Sequence, residues 1–201
     1  MSIPATQRVA THPGWLRVTH WLNALAVLLM VTSGWRIYDA SPLFPFEFPQ
    51  AVTLGGWLGG ALLWHFAAMW LLFANGVFYL VMGVATGRFR HQLFPLRPGQ
   101  FWGDLKAAIQ GRLSHDDLAS YNAVQKLAYI VAIVDLIAIV LSGLVVFKPV
   151  QFPHLGALMG GYEGARIVHF VGMAILVLFV LVHVVMAVAV PRTILAMIRG
   201  R

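Results

Sequence analysis

Apolar residues gather along the chain in four long runs, at about residues 15–37, 57–82, 124–147 and 167–190. Each exceeds the roughly 17 residues that the shortest bilayer-crossing helices need, and none shows the alternation of a membrane β-strand. Lipid offers no partner to a bare peptide group, so such runs must close their hydrogen bonds internally as helices. The pattern predicts an all-α integral membrane protein, a bundle of four transmembrane helices forming a single membrane domain over residues 1–201. The connections are then two outer loops, 38–56 and 148–166, and a cytoplasmic loop, 83–123. The first run is too long for a cleaved signal, carries Arg17 and His20, and lacks a small-residue cleavage site, so it is expected to stay in the mature protein. In the cytoplasmic loop, Phe101, Leu105, Ala108 and Ile109 recur at helical spacing and predict a short helix lying on the membrane surface. No internal repeat or second domain is visible.

Composition sharpens this picture. Only 10% of residues are charged and 60% are hydrophobic, against about 25% charged in soluble domains, which excludes a large soluble catalytic domain. Cysteine is absent, excluding disulfides, Cys-ligated iron–sulfur clusters and covalent c-type haem. The net charge of +7 is not a nucleic-acid signature, because no basic helix or aromatic RNA motif accompanies it. It follows the membrane instead. Of the 14 Lys and Arg, eleven lie on the side of the N-terminus, the second loop and the C-terminal tail, counting Arg17 and Lys126 at the near ends of their runs, while only Arg36, at the far end of the first run, Lys148 and Arg166 lie on the other side. The positive-inside rule therefore puts both termini in the cytoplasm. The outer loops contain Pro- and aromatic-rich segments at 41–49 and 147–153, expected to be ordered at the headgroup level.

Four of the eight histidines, His20, His65, His169 and His183, fall inside the runs. A single intramembrane imidazole is as readily an interhelical hydrogen-bonding group as a ligand. Helix direction, however, sorts these four by depth. His20 comes early on an outgoing helix and His183 late on an incoming one, so both sit in the cytoplasmic half. His65 and His169 come early on incoming helices, so both sit in the outer half. His169 and His183 are 14 residues apart, about 21 Å along a helix and within about 40° of the same face. This arrangement suits two haems stacked across the membrane, each iron between two neutral imidazoles; a zinc or copper site gathers its ligands at one level.

Other residues fit around that arrangement. Gly34 and Gly76 fall at the outer and inner levels of the first two helices, where a flat macrocycle needs room, although glycine also serves ordinary helix packing. Arg17 and Arg166 each precede a histidine by three residues, on the side of the nearer surface. There a guanidinium either pairs a haem propionate or snorkels to the interface. Asp135, midway along the third helix, either belongs to a proton path or hydrogen-bonds a neighbour, and the second is the simpler expectation.

Taken together, His20-Trp-Leu-Asn, the His65 run, Tyr121-Asn-Ala-Val-Gln-Lys126 and the His169/His183 pair resemble the four-helix di-haem cytochrome b superfamily. This superfamily contains bacterial cytochrome b561 proteins and the membrane subunits of formate dehydrogenase and nickel–iron hydrogenase. The resemblance covers nearly the whole chain. It implies two haem b groups, the outer held by His65 and His169 and the inner by His20 and His183, the same pairs that depth gives. It also implies a quinone or quinol as substrate near the inner haem, with Asn122 and Gln125 as the carried-over residues; the bland alternative for Asn122 is a helix N-cap. The chain also looks like the cytochromes that accompany periplasmic molybdenum oxidoreductases, which favours such a partner over hydrogenase.

The expected function is an electron-transfer subunit with no catalytic residues of its own. Embedded in membrane lipid, it links the quinone pool to a periplasmic redox protein that docks on the outer loops. An alternative is a self-sufficient cytochrome b561-type oxidoreductase whose outer haem meets a small oxidant such as superoxide. A transporter using the histidines and Asp135 as a proton relay is disfavoured by the depth pairing.

Overall fold

The computed structural model describes residues 12–92, 102–103, 106 and 123–200. Its principal elements are α1 (Gly14–Asp39), a 3-10 turn (Gln50–Val52), α2 (Leu58–Ala85), α3 (Arg88–Gln92), α4 (Ala123–Phe147), α5 (Pro153–Leu158), α6 (Gly161–Ala189) and α7 (Pro191–Arg199). No strand occurs among the described residues. Four helices, α1, α2, α4 and α6, are long and apolar enough to cross a membrane, so the chain folds as an all-α bundle of four membrane helices. Of the predicted surface helix, Phe101, Leu105, Ala108 and Ile109 lie outside the described residues.

The closest backbone packing lies within two hairpins, α1 with α2 and α4 with α6. Small and polar residues form both seams. Ala26, Ser33, Ala61, Ala68 and Asn75 are buried in the first, and Ser142, Ala165 and Gly172 in the second. Without a hydrophobic force between helices in lipid, small side chains let backbones approach and gain dispersion contacts instead. Gly172 is the tightest case in the second seam, since a Cβ there would stand 2.7 Å from Ile139 Cγ1 and 3.2 Å from Asp135 Oδ1. Bulky apolar side chains point outward, as with Leu63 (74% exposed), Trp70 (66%) and Val185 (66%), a distribution that lipid rather than water satisfies.

Polar side chains inside the spans satisfy themselves locally. Thr19, Thr32, Ser33 and Ser142 each donate a hydroxyl proton to a carbonyl three or four residues earlier. Asn75 on α2 donates to the Thr19 carbonyl at 2.8 Å and to Asn23 Oδ1 at 2.6 Å, joining the hairpin by polar contacts that lipid strengthens.

At the end of the bundle where α1 leads toward α2, the loop folds back rather than extending. The Tyr38 hydroxyl accepts from the Phe44 amide and donates to its carbonyl, and Asp39 Oδ1 accepts from the Phe48 amide at 2.8 Å. Phe46 stacks on Tyr38, and Tyr38, Phe44 and Phe46 all pack on Phe170 of α6. The turn into α2 uses Gly55 at φ +107°, in close contact with the backbone of Gly60 and Ala61, where a side chain has no room. At the other end of the chain, α7 stops at Gly200 in the left-handed conformation.

Gly172→Leu should therefore wedge α6 from α4 and cost about 1–3 kcal/mol by overpacking. Thermal unfolding in detergent checks this, with Gly14→Ala, whose methyl would meet among the described residues only Arg17 at 3.9 Å, expected to leave the transition in place.

Candidate functional site

The hairpins face each other through four half-buried imidazoles. The His20 ring on α1 and the His183 ring on α6 have centroids 6.0 Å apart with planes at 62°. The His65 ring on α2 and the His169 ring on α6 have centroids 6.4 Å apart at 65°. A metal ion between two imidazole nitrogens, at roughly 2.0–2.1 Å from each, sets the centroids about 6 Å apart. Each pair could therefore hold one metal ion between its two imidazoles. No cluster of three or more His, Cys, Asp or Glu forms among the described residues, so the histidines are brought together as two pairs and not as one polydentate site.

The His65/His169 pair is held from behind. Ser33 Oγ lies 3.1 Å from His65 Nδ1. Ser142 Oγ lies 3.2 Å from His169 Nδ1, and the Ile139 carbonyl lies 3.0 Å from the same nitrogen. Glycine follows each serine and gives the imidazole its space: a Cβ at Gly34 would stand 3.4 Å from His65 Cε1, and one at Gly143 only 3.1 Å from His169 Cε1. Gly34 therefore makes room for the imidazole opposite it. Among the described residues, a Cβ at Gly76 would meet no atom within 4 Å. In the inner pair, His20 sits edge-on to Trp21 at 5.3 Å, and His183 stacks on Phe179 at 5.9 Å and 11°.

Both arginines engage the protein. Arg17 Nη1 donates to the Ile198 carbonyl at 2.6 Å, placing its cation at the C-terminal end of α7, where the helix dipole favours it. Arg166 bonds the Ser41 carbonyl at 2.5 Å and Glu163 at 2.9 Å, pinning α6 to the outer loop. Asp135 is only 9% exposed, beside Gly172 of α6, and no described residue hydrogen-bonds its Oδ2. The expected bond to a neighbour is not found there. Gln125 lies exposed on the first turn of α4, while Asn122 and Tyr121 lie outside the described residues. Sequence reasoning missed Ser33, Ser142 and Gly143. The signal was a Ser-Gly dipeptide recurring at 33–34 and 142–143, on the first helix of each hairpin.

Residues 11–200 match the family described as prokaryotic cytochrome b561. The chain belongs to the prokaryotic cytochrome b561 family. A relative from Azospira oryzae, YedZ1, provisionally described as a protein-methionine-sulfoxide reductase subunit, is 62% identical over 191 residues, covering 95% of this chain and 96% of its own. The cytochrome b556(fdo) subunit of Escherichia coli K12 formate dehydrogenase is 26% identical over 184 residues, 92% of this chain and 81% of that one. This cytochrome b561 protein is accordingly a multi-pass protein of the bacterial inner membrane that binds haem b and takes part in membrane electron transfer.

Arg17→Ala should release the end of α7 without unfolding the spans. Loss of a charge-assisted bond worth on the order of 1.5 kcal/mol should speed hydrogen exchange of residues 191–199 roughly tenfold, read by mass spectrometry against unchanged exchange in α2.

Proposed function

We propose that this cytochrome is a di-haem electron conduit between the quinone pool and a periplasmic oxidoreductase, with both termini cytoplasmic. The observation that carries the reading is the pair of imidazole couples, 6.0 and 6.4 Å apart between centroids, both completed by the single helix α6. His65 and His169 hold the outer haem, His20 and His183 the inner. A bound b haem would supply one-electron chemistry, and the protein's part would be to hold it between the paired imidazoles and to set its level and surroundings. Helix α6 sets the two levels about 21 Å apart along its axis. Lipid-facing apolar residues keep water away from both. Arg17 and Arg166 stand at the inner and outer ends, where each guanidinium also suits a propionate. Gly76 leaves the inner level open to a flat ring.

Asn122, which lies outside the described residues, and Gln125, on the first turn of α4, are the proposed quinone contacts. On the outer side, the partner reading takes support from the Azospira oryzae relative, provisionally named for protein-methionine-sulfoxide reduction. A periplasmic enzyme of that activity, molybdenum-dependent rather than hydrogenase-like, is the proposed partner. The outer surface offers it an aromatic and aliphatic patch including Phe44, Phe46, Tyr162, Val150 and Leu158, the last two 85% exposed. Such a surface is the kind that marks protein interfaces.

The pyridine haemochrome assay should give two haem b per chain. His65→Ala or His169→Ala should remove one haem, and His20→Ala or His183→Ala the other, each sparing its neighbour; a stoichiometry of one in the intact protein sinks the reading. Separately, a charge placed on either outer loop, by Phe46→Glu in the first or by substituting the half-buried Phe152 of the second as Phe152→Glu, should slow electron exchange with the periplasmic enzyme several-fold, while haem content and reduction by quinol persist. Exchange at the normal rate would move the outer reaction from a docked protein to a small molecule.

A further inference from the structure

The two imidazole pairs differ in what stands behind them. Ser33 and Ser142 occupy matching places, each fully buried, each followed by a glycine, and each on the helix that packs against the histidine's own. Their protons are already committed. Ser33 Oγ donates to the Leu29 carbonyl at 2.5 Å, and Ser142 Oγ to the Ala138 carbonyl at 2.8 Å. A hydroxyl has one proton and two lone pairs, so what it presents to an imidazole nitrogen at 3.1 or 3.2 Å is an acceptor. The Ile139 carbonyl, also on His169 Nδ1, can only accept. Both outer imidazoles are therefore donors at Nδ1, and Nε2 carries the free lone pair. Among the described residues no hydrogen bond reaches the side chain of His20 or His183, whose near neighbours are the apolar rings of Trp21 and Phe179.

We infer that Ser33 and Ser142 are positioning residues that fix His65 and His169 in the Nδ1–H form and lower the reduction potential of the outer haem alone. This rests on the reading of those histidines as its ligands. An Nδ1–H donated to an oxygen makes the opposite nitrogen more basic. A more basic axial ligand favours ferric over ferrous iron, and hydrogen bonding behind the ligand is one of the protein's levers on potential. Two such bonds act on one iron. The glycines let each ring lie close enough to its helix for the bond to form, since a Cβ at Gly143 would stand 3.1 Å from His169 Cε1.

Spectroelectrochemical titration of the purified holoprotein tests this in Ser33→Ala, Ser142→Ala and the double variant, with a haemochrome assay on the same samples. The His169→Ala variant identifies the outer component. The double variant should shift the outer haem's reduction equilibrium about tenfold toward ferrous, some 59 mV for a one-electron couple, with each single variant shifting it less and the inner haem unmoved. Ser33→Thr and Ser142→Thr, which keep the hydroxyl, should titrate as the parent, and they carry the test if alanine releases the outer haem. An unmoved outer potential, equal movement of both haems, or threonine variants displaced upward despite their hydroxyl would overturn the inference. A parent protein with fewer than two haems would instead overturn the ligand reading beneath it, whatever the serines do.

Discussion

Helix α6 carries His169 and His183 on one face, 14 residues apart, and the other helices are arranged around that fact. Fourteen residues are close to four turns of an α-helix, so a continuous helix presents both imidazoles to the same side at two depths. Each then needs a counterpart from across the bundle at its own depth. His20 on α1 and His65 on α2 meet that requirement because the two antiparallel helices of the α1/α2 hairpin bring those positions to opposite levels of the bundle. The result is two couples with ring centroids 6.0 and 6.4 Å apart, bridging hairpins whose tight backbone seams lie elsewhere.

Lipid accounts for much of what surrounds this arrangement. With water absent, buried hydroxyls turn back onto their own helices, and Asn75 finds Thr19 and Asn23 across the first seam. The same economy of polar partners gives Ser33 and Ser142 a second use: with the proton spent on a helix carbonyl, the remaining lone pairs face an imidazole. Asp135 departs from the pattern. Its Oδ2 is buried without a described partner, at the close approach of α4 to Gly172, between the levels of the two histidine couples.

The ends of the bundle are pinned by charge and aromatic stacking. Arg166 ties α6 to Ser41, and the Pro-rich outer loop closes over Tyr38 and Phe170 as a stacked cluster. These aromatics serve the loop's own order and still leave Phe44 and Phe46 more than 40% exposed, so internal packing and an outward-facing surface come from the same residues. On the opposite side, Arg17 caps α7 through Ile198, making a fixed element of an amphipathic helix that lies next to the last span.

Four long apolar runs could become only helices, because a membrane leaves no other way to satisfy their peptide groups, and so the architecture was legible in the chain itself. The histidine couples were legible for a related reason: depth in a bilayer follows from helix direction and residue number, and a fixed rise converts sequence distance into height. Rotation about each helix axis is different. It depends on which small residues meet in each seam, and only the packed structure sets it. Gly34 and Gly76 illustrate the gap, since both sit at the depth the sequence implies, yet one lies against the His65 imidazole and the other on open space. Ser33 and Ser142 illustrate it further. Their spacing to His65 and His169 is 32 and 27 residues, with no common period. Their equivalence appears only when each hairpin has closed and brought a hydroxyl within hydrogen-bonding distance of a ring nitrogen.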